Sequence, residues 1–126
     1  MTEDLETLCQ ALGDRTRLRL LNLMSEGEVC VCFFVEVLGQ PQPTISRHLA
    51  YLRRAGLVSA RRDGKWMSYA VVRPEGAGAA KVFDAILESM SGDRELQRDR
   101  QRLLRACCSP RVPEQLKRAP KPAVAG

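Results

Sequence analysis

Histidine is nearly absent from the 126 residues of this chain, and long hydrophobic runs are absent altogether. The single histidine, His48, excludes a metal site built from several imidazoles. No run of about 18 apolar residues occurs, which excludes an ordinary transmembrane helix. The chain also lacks a glycine-rich phosphate loop and a metalloprotease motif, so we predict that it is not an enzyme.

The composition is that of a globular protein with a basic surplus. Apolar residues make up 44% and charged residues 28% of a chain long enough for one domain. The net charge of +5 favours an acidic partner. The N-terminus, Met1-Thr2-Glu3-Asp4, is acidic and has no apolar segment typical of a secretory signal, so we expect a cytoplasmic protein with no membrane partner.

Hydrophobic spacing and capping residues predict helices along most of the chain. Asp14 is a suitable N-cap for a second helix, and the apolar stretch 29–38 predicts a third. A fourth is predicted over residues 42–55, with Gly56 as its stop. The first predicted helix has an apolar stripe at helical spacing, formed by Leu5, Leu8, Cys9 and Leu12.

The fourth predicted helix carries the residues best suited to read DNA. Its apolar side, with Ile45 and Leu49, is expected to pack inward and to leave the polar side free. Arginine, glutamine, serine and threonine on that side suit base edges and phosphates. The candidate DNA-binding residues of this helix are Gln42, Thr44, Ser46, Arg47, His48, Tyr51 and Arg54.

A β-hairpin with a cationic tip is predicted over residues 57–72. Asp63-Gly64 is typical of a two-residue turn, and pairing about it sets Arg62 opposite Lys65. Together with Arg61, these two residues are candidates for contacts to phosphates or the minor groove. Helix and hairpin together predict a mainly α fold with a β-hairpin wing, a winged helix-turn-helix that binds double-stranded DNA.

The order of predicted helices, hairpin and proline-rich end divides the chain into three parts. Residues 1–92 are predicted to form a winged-helix and dimerisation domain. Residues 93–109 are predicted to form a C-terminal helix that ends in vicinal cysteines. Residues 110–126 contain four prolines and few large apolar residues, which predicts a disordered tail.

Five short segments carry a combined pattern that one family of regulators shares. They are Ala11-Leu12-Gly13-Asp14-Arg15-Thr16-Arg17-Leu18-Arg19-Leu20-Leu21, Glu28-Val29-Cys30-Val31-Cys32, Gln42-Pro43-Thr44-Ile45-Ser46-Arg47-His48-Leu49, Arg54-Ala55-Gly56-Leu57-Val58 and Arg61-Arg62-Asp63-Gly64-Lys65. Over roughly residues 5–90 the chain resembles the ArsR/SmtB repressors, and most closely their arsenic-responsive branch. The resemblance implies a homodimer, formed through the first helix and the helix near residues 77–90. It also implies a repressor that leaves its operator when metal binds.

The cysteines point to the inducer. A close thiol pair, Cys30-Val31-Cys32, is a site for a soft ion, so we predict As(III) or Sb(III) as inducer and no catalytic cofactor. The arsenic branch often has a third thiol three residues after the second, where this chain has Val35. The third ligand must therefore come from elsewhere. The predicted metal site consists of Cys30, Cys32, Cys107 and Cys108.

The spacing of the thiol pair also predicts a distortion. Residues i and i+2 of a regular helix point about 200° apart and cannot face one ion. We therefore expect Cys30 and Cys32 to lie at an irregular helix start, or the helix to distort when the inducer binds.

Three alternatives stay open. Cys9 is expected to pack in the core, yet cadmium- and lead-sensing relatives combine N-terminal cysteines with such a pair, here Cys30 and Cys32. A repressor switched by thiol oxidation is the second alternative. The third is a thiol oxidoreductase or soft-metal carrier, against which the chain lacks a Cys-x-x-Cys near a βαβ pattern.

Overall fold

A computed structural model shows the architecture, and it describes residues 4–108 and 114–122. Within these residues, the short 3-10 helices Met90–Gly92 and Glu114–Leu116 accompany six α-helices and three strands. The predicted fold class, a winged helix-turn-helix with a hairpin wing, is confirmed. The longer elements are α1 (Leu5–Leu12), α2 (Arg15–Leu23), β1 (Val29–Cys30), α3 (Val31–Leu38), α4 (Gln42–Arg54), β2 (Val58–Asp63), β3 (Trp66–Val71), α5 (Ala77–Ser89) and α6 (Arg94–Cys108).

Local capping explains where the first helices begin and end. Asp14 accepts a hydrogen bond from the backbone N–H of Arg17 at 3.0 Å, as its position before α2 predicts. Gly39 ends α3 in the left-handed region, with φ 67° and ψ 25°. The chain then enters α4 directly after Pro41, whose ring suits a helix start.

The sheet is antiparallel, and its strands lie in the order β1-β3-β2. Its two-residue strand β1 corrects the sequence analysis, which placed residues 29–38 in one helix. Val29 pairs with Tyr69 and Cys30 pairs with Ser68, so these two residues are extended and α3 begins only at Val31. Pairing with a strand 38 or more residues further along the chain is a tertiary effect that local spacing does not report.

The hairpin pairs in a register two residues away from the predicted one. Asp63 lies opposite Trp66, and Arg62 lies opposite Met67 rather than Lys65. Gly64, with φ 61°, takes the first central position of the turn, which is the position that favours glycine in a type II′ turn. A shift of two residues leaves every side chain on its predicted face of the sheet.

The first helix buries a different stripe from the predicted one. Leu8, Ala11 and Leu12 are buried, whereas Leu5 is 60% exposed and Cys9 is exposed. The predicted core packing of Cys9 is therefore wrong, because α1 rolls Ala11 toward the core in its place. Residues 8, 11 and 12 also have helical spacing, as the predicted stripe does. Which of these two stripes is buried depends on the elements that pack against α1.

The C-terminal helix belongs to the same core as the rest. Its residues Leu96 and Leu103 are buried, and α6 packs against α2 and α3. Arg19 of α2 donates two hydrogen bonds to the buried carboxylate of Asp99, at 2.8 and 3.0 Å. Asn22 adds a bond from Nδ2 to the carbonyl oxygen of Leu96 at 2.8 Å. These buried polar contacts fix the position of α6 on α2.

Part of the predicted disordered tail is ordered. Leu116 and Ala119 are 2% and 5% exposed and join the hydrophobic core. Residues 114–122 therefore include two buried apolar side chains, which a composition typical of disorder does not indicate. The rest of the predicted tail, residues 110–113 and 123–126, lies outside the described residues.

Candidate thiol site and nucleic-acid interface

The structure brings Cys30 and Cys32 together at the junction of β1 and α3. Their sulfur atoms lie 3.2 Å apart. Cys30 has extended backbone angles, φ −70° and ψ 141°, and precedes the first helical residue. The two side chains therefore escape the opposed directions that a regular helix imposes on residues i and i+2, so the thiols meet at an irregular helix start.

The separation of the thiols fits a single soft ion. Two sulfurs joined to one ion by bonds of about 2.3 Å lie roughly 3.3–3.8 Å apart, so only a small adjustment is needed. Cys30 is 1% exposed and Cys32 is partly buried. Burial, followed by the hydrogen bond with Cys30, raises the pKa of the Cys32 thiol to about 12. Cys32 is consequently protonated at neutral pH.

Among the side chains that the structure describes, no third cysteine is grouped with this pair. Cys9 is a free, exposed cysteine on α1. Cys107 is buried near the end of α6 and is disulfide-bonded, with Sγ 3.8 Å from the carbonyl oxygen of Leu104. The backbone of Cys108 ends α6, and its side chain lies outside the described part. Across residues 4–108 and 114–122, no three histidine, cysteine or acidic side chains are grouped to hold a metal ion.

The strand β1, which contains Cys30, pairs with β3 of the wing. Cys30 pairs with Ser68 of the central strand, and Ser68 pairs with Arg61 on its other side. Glu28, two residues before Cys30, accepts hydrogen bonds from Arg61 at 2.9 and 2.6 Å. These bonds lower the pKa of Glu28 and raise that of Arg61. The sequence analysis assigned Arg61 to DNA and missed Glu28 as its partner.

The recognition helix α4 presents its polar side as predicted. Ile45, Leu49 and Leu52 are fully buried and attach the helix to the core. The opposite side is therefore free to enter a groove. Four of the predicted DNA-binding residues are exposed, namely Gln42, Ser46, Arg47 and Arg54. The other three are partly buried, namely Thr44, His48 and Tyr51.

The tip of the wing keeps two free cations. Arg62 and Lys65 are exposed and form no ion pair with any residue that the structure describes. Nζ of Lys65 lies 5.0 Å from the ring centre of Trp66, which limits where the ammonium group can point. Of the three predicted wing contacts, only Arg61 is already bound to a carboxylate.

One functional candidate that the sequence analysis missed is Arg17 of α2, whose guanidinium stacks on Tyr51 of α4 with Cζ 4.1 Å from the ring centre. Its position three residues after the capping Asp14, at the start of a helix, was the available signal. Spacing alone does not show that α2 and α4 meet there.

Comparison with known proteins places the chain among regulators. Residues 14–60 match the family model described as bacterial regulatory protein, arsR family. The chain is 49% identical over 78 residues to the arsenical resistance operon repressor of Escherichia coli strain K12, across 61% of this chain and 67% of that protein. It is 44% identical over 78 residues to the HTH-type transcriptional regulator MJ1325 of Methanocaldococcus jannaschii, across 61% of this chain and 88% of that protein.

Solved structures agree with this placement. The transcriptional repressor BigR from Xylella fastidiosa has a TM-score of 0.55 and 32% identity, over 66% of this chain and 82% of that chain. A structure described as "Possible transcriptional regulator for arsenical resistance" has a TM-score of 0.55 and 29% identity, over 69% of this chain and 95% of that chain.

Fold, site and relatives define a DNA-binding transcription regulator of the winged-helix class. The chain belongs to the ArsR family of bacterial regulatory proteins. Because the matched proteins are regulators, the prediction that the chain is not an enzyme is confirmed. In the described residues, every helix is too short or too polar to cross a membrane.

Proposed function

We propose that this protein is a cytoplasmic, homodimeric repressor of a metalloid-resistance operon. It binds operator DNA through α4 and the wing, and it leaves the DNA when As(III) or Sb(III) binds Cys30 and Cys32. The observation that carries the proposal is the 3.2 Å separation of the two sulfurs beside the helix that leads into α4. The names of the relatives from Escherichia coli and Staphylococcus aureus support the choice of arsenic.

The chemistry at the thiols is a condensation. Arsenous acid, As(OH)₃, reacts with the Cys30 thiol, one As–O bond breaks, one As–S bond forms, and water leaves with the thiol proton. The same exchange at Cys32 completes a two-sulfur chelate, and the oxidation state of arsenic does not change. The Cys32 thiol enters the reaction in its protonated form, because burial raises its pKa.

Release of DNA requires more than this chelate. The two sulfurs are already close to the bound separation, so binding through them alone distinguishes little between the two states of the protein. A ligand that binds the DNA-binding and the released form of the protein equally well does not shift the equilibrium between them. To change the ratio of these forms from 99:1 to 1:99, the ligand must favour the released form by about 5.5 kcal/mol. We therefore assign the switching step to recruitment of a third thiol.

The third thiol comes from Cys107 or Cys108 in this proposal. Cys107 lies at the end of α6, and α6 packs against the helix that begins beside the thiol pair. Cys107 is disulfide-bonded in the structure, so a small-molecule thiol must first reduce that disulfide to two thiols by thiol–disulfide exchange and is itself oxidised to a disulfide. Drawing the end of α6 toward Cys30 and Cys32 would shift α3, and the connection through Gly39 would pass that shift to α4.

Exposed apolar side chains on two helices support the proposed homodimer. Leu5 of α1 is 60% exposed and Val82 of α5 is 40% exposed, and these are the helices that the sequence analysis assigned to the dimer. Covering them with a second copy removes apolar area from water. A dimer would set two recognition helices about 34 Å apart, one turn of DNA.

A thiol redox switch is the second candidate function, because Cys107 is disulfide-bonded while Cys9, Cys30 and Cys32 are free. Oxidation would then act at the end of α6 without any metalloid. The exposed thiol of Cys9 also keeps the cadmium and lead alternative available, with Cys30 and Cys32 as its partners.

Release from a selected DNA duplex tests the proposal. Wild-type protein selects a duplex from a randomised pool, and fluorescence anisotropy follows its release by arsenite, antimonite, cadmium or peroxide. We expect arsenite and antimonite to release the wild type, and Cys30→Ser and Cys32→Ser to bind the duplex normally but to stay bound. Cys9→Ser is the matched control and should release like the wild type.

The outcomes separate the candidates. Equal arsenite sensitivity of Cys30→Ser and wild type would contradict the assigned site. Loss of response in Cys9→Ser, with cadmium as the better releasing agent, would select the cadmium alternative. Release by peroxide alone, abolished in Cys107→Ser, would select the redox switch.

A further inference from the structure

Arg17 ties together three helices beside the DNA-reading side of the protein. Its Nε donates a hydrogen bond to the carbonyl oxygen of Ala11 at 2.8 Å, and its Nη2 donates one to that of Gln10 at 2.7 Å. Both carbonyls belong to the last turn of α1, where helix oxygens lack partners within the helix. The side chain is only 13% exposed, so the guanidinium is held in one place.

The same guanidinium reaches across to α4. Tyr51 lies between two cations, with its ring centre 4.1 Å from Cζ of Arg17 and 5.9 Å from Cζ of Arg54. Nη1 of Arg17 also lies 3.4 Å from Nδ1 of His48. A cation over an aromatic ring is attractive, so the position of Tyr51 on the recognition helix depends on a residue of α2.

These side chains line a cavity of about 400 Å³ between α2 and α4 that is open to solvent. Three of its lining residues are arginines, and none is acidic. Arg47 and Arg54 form no ion pair with a described residue, whereas Asp14 lies 4.0 Å from Nη1 of Arg17 and 3.8 Å from Nδ1 of His48. The full lining is Arg17, Arg47, His48, Ala50, Tyr51 and Arg54.

We propose that this cavity is a seat for one phosphodiester group of the DNA backbone, with Arg17 as the residue that builds it. Planar guanidinium groups bind phosphate oxygens through paired N–H donors, and such contacts position a protein on DNA without reading sequence. Arg17 adds positive charge and fixes Tyr51, while Arg47 and Arg54 close on the phosphate. The inference rests on the proposed binding of operator DNA and adds a contact from outside the recognition helix and wing.

Salt-dependent binding of two duplexes tests the seat. We compare wild type, Arg17→Gln and Arg15→Gln on the selected duplex and on an unrelated duplex, from 50 to 300 mM KCl, by fluorescence anisotropy. Arg17→Gln should reduce affinity for both duplexes by the same factor, roughly tenfold. It should also reduce the magnitude of the slope of log affinity against log salt concentration by about one. Arg15→Gln removes the same charge from the same helical turn, but Arg15 is paired with Asp93 and Glu95, so both duplexes should bind as in wild type.

A second measurement does not depend on the folding of a variant. Duplexes that carry one neutral methylphosphonate at successive backbone positions are titrated with wild-type protein. A methylphosphonate at one position in each half-site should lower the affinity of wild type by at least the factor seen for Arg17→Gln. At that position Arg17→Gln should lose less affinity than wild type, because only Arg47 and Arg54 still contact the phosphate.

Each outcome has one meaning. An unchanged salt slope for Arg17→Gln, or a loss confined to the selected duplex, overturns the phosphate seat and leaves the proposed function standing. Equal sensitivity of wild type and Arg17→Gln to every methylphosphonate overturns it as well. Failure of the wild type to select or bind any duplex overturns the proposed function itself.

Discussion

Glu28 and Arg61 form a bidentate ion pair between the residue before β1 and the wing strand β2. Nε of Arg61 lies 2.9 Å from Oε2, and Nη2 lies 2.6 Å from Oε1 of Glu28. The pair bridges the two sides of the central strand β3, which pairs with β1 through Cys30 and Ser68 and with β2 through Arg61 and Ser68. Hydrogen bonds from Arg61 lower the pKa of Glu28, so the pair is complete at neutral pH and is lost only on acidification through that lowered value.

Replacing Glu28 should release Arg61 for DNA. In Glu28→Gln the wing gains an unpaired cation close to the phosphates, so affinity for any duplex should rise several-fold at low salt. The salt slope should steepen by about one. Anisotropy titrations over the same KCl range measure both effects. Glu36→Gln, which removes an exposed carboxylate from α3, is the matched control, and an equal rise in that variant would show that only net charge matters.

A third thiol near the pair should tighten arsenic binding but weaken the release of DNA. Val35 lies three residues after Cys32 on α3, and residues i and i+3 share a helix face. Val35→Cys should therefore tighten arsenite binding by roughly tenfold, which corresponds to about 1.4 kcal/mol, but impair release of DNA, because the site closes without drawing in the end of α6. Val31→Cys places an extra thiol on the same helix without that spacing and should change little. A Val35→Cys variant with unaltered arsenite sensitivity would contradict the local three-thiol geometry.

The pH dependence of inducer binding should separate cadmium from arsenite. The pKa of Cys32 is raised to about 12, so a divalent cation must displace its proton and that of any second protonated thiol. Affinity for Cd²⁺ should rise with pH, by roughly tenfold per unit for each proton released. Condensation of arsenous acid with thiols releases water and no proton, so its affinity should stay nearly flat from pH 6 to 8.

Isothermal titration calorimetry in two buffers of different ionisation heat counts the protons directly. Arsenite binding that takes up two protons would show that Cys30 and Cys32 react as thiolates, because each hydroxide that leaves arsenic must then gain a proton to depart as water. Cys32→Ser should abolish the proton release seen with cadmium.

Breaking the buried pair between α2 and α6 should destabilise the fold. The Asp99 side chain is 1% exposed and that of Arg19 is 12% exposed, so Asp99→Ala leaves a buried cation without its partner. We expect a loss of about 3–5 kcal/mol in the free energy of unfolding, measured by urea denaturation. Asp84→Ala, which breaks the exposed pair with Arg73, should cost far less.

The double replacement Arg19→Met with Asp99→Leu distinguishes the pair from simple packing. Apolar residues of similar size often replace a buried ion pair without loss of stability. The double variant should therefore regain most of the free energy of unfolding that Asp99→Ala loses. A double variant as unstable as Asp99→Ala would place the cost in packing rather than in the orphaned charge.

Elements governed by near neighbours could be predicted from the sequence. The cap at Asp14, the stop at Gly56 and the amphipathic helix α4 depend on residues a few positions apart, and all three are present in the structure. The cationic wing was predicted for the same reason, although Gly64 set its turn one position later than expected.

Elements governed by distant partners could not be predicted. A two-residue strand such as β1 exists only because β3 is there to pair with it. The roll of α1 that exposes Cys9, and the burial of Leu116, depend on which surfaces meet in three dimensions. No periodicity within a short segment reports those contacts.

The sequence by itself determined that this chain carries a Cys-x-Cys pair ahead of a DNA-reading helix, because both are local arrangements of residue types. Only the tertiary structure decided that the two sulfurs meet, since pairing with Ser68 draws Cys30 out of the helix that Cys32 occupies. It also decided which arginines are already bound: Arg61 is held by Glu28, and Arg17 is held by α1 and Tyr51. Long side chains are bound by whatever groups the fold brings within reach, and that is a property of packing rather than of sequence order.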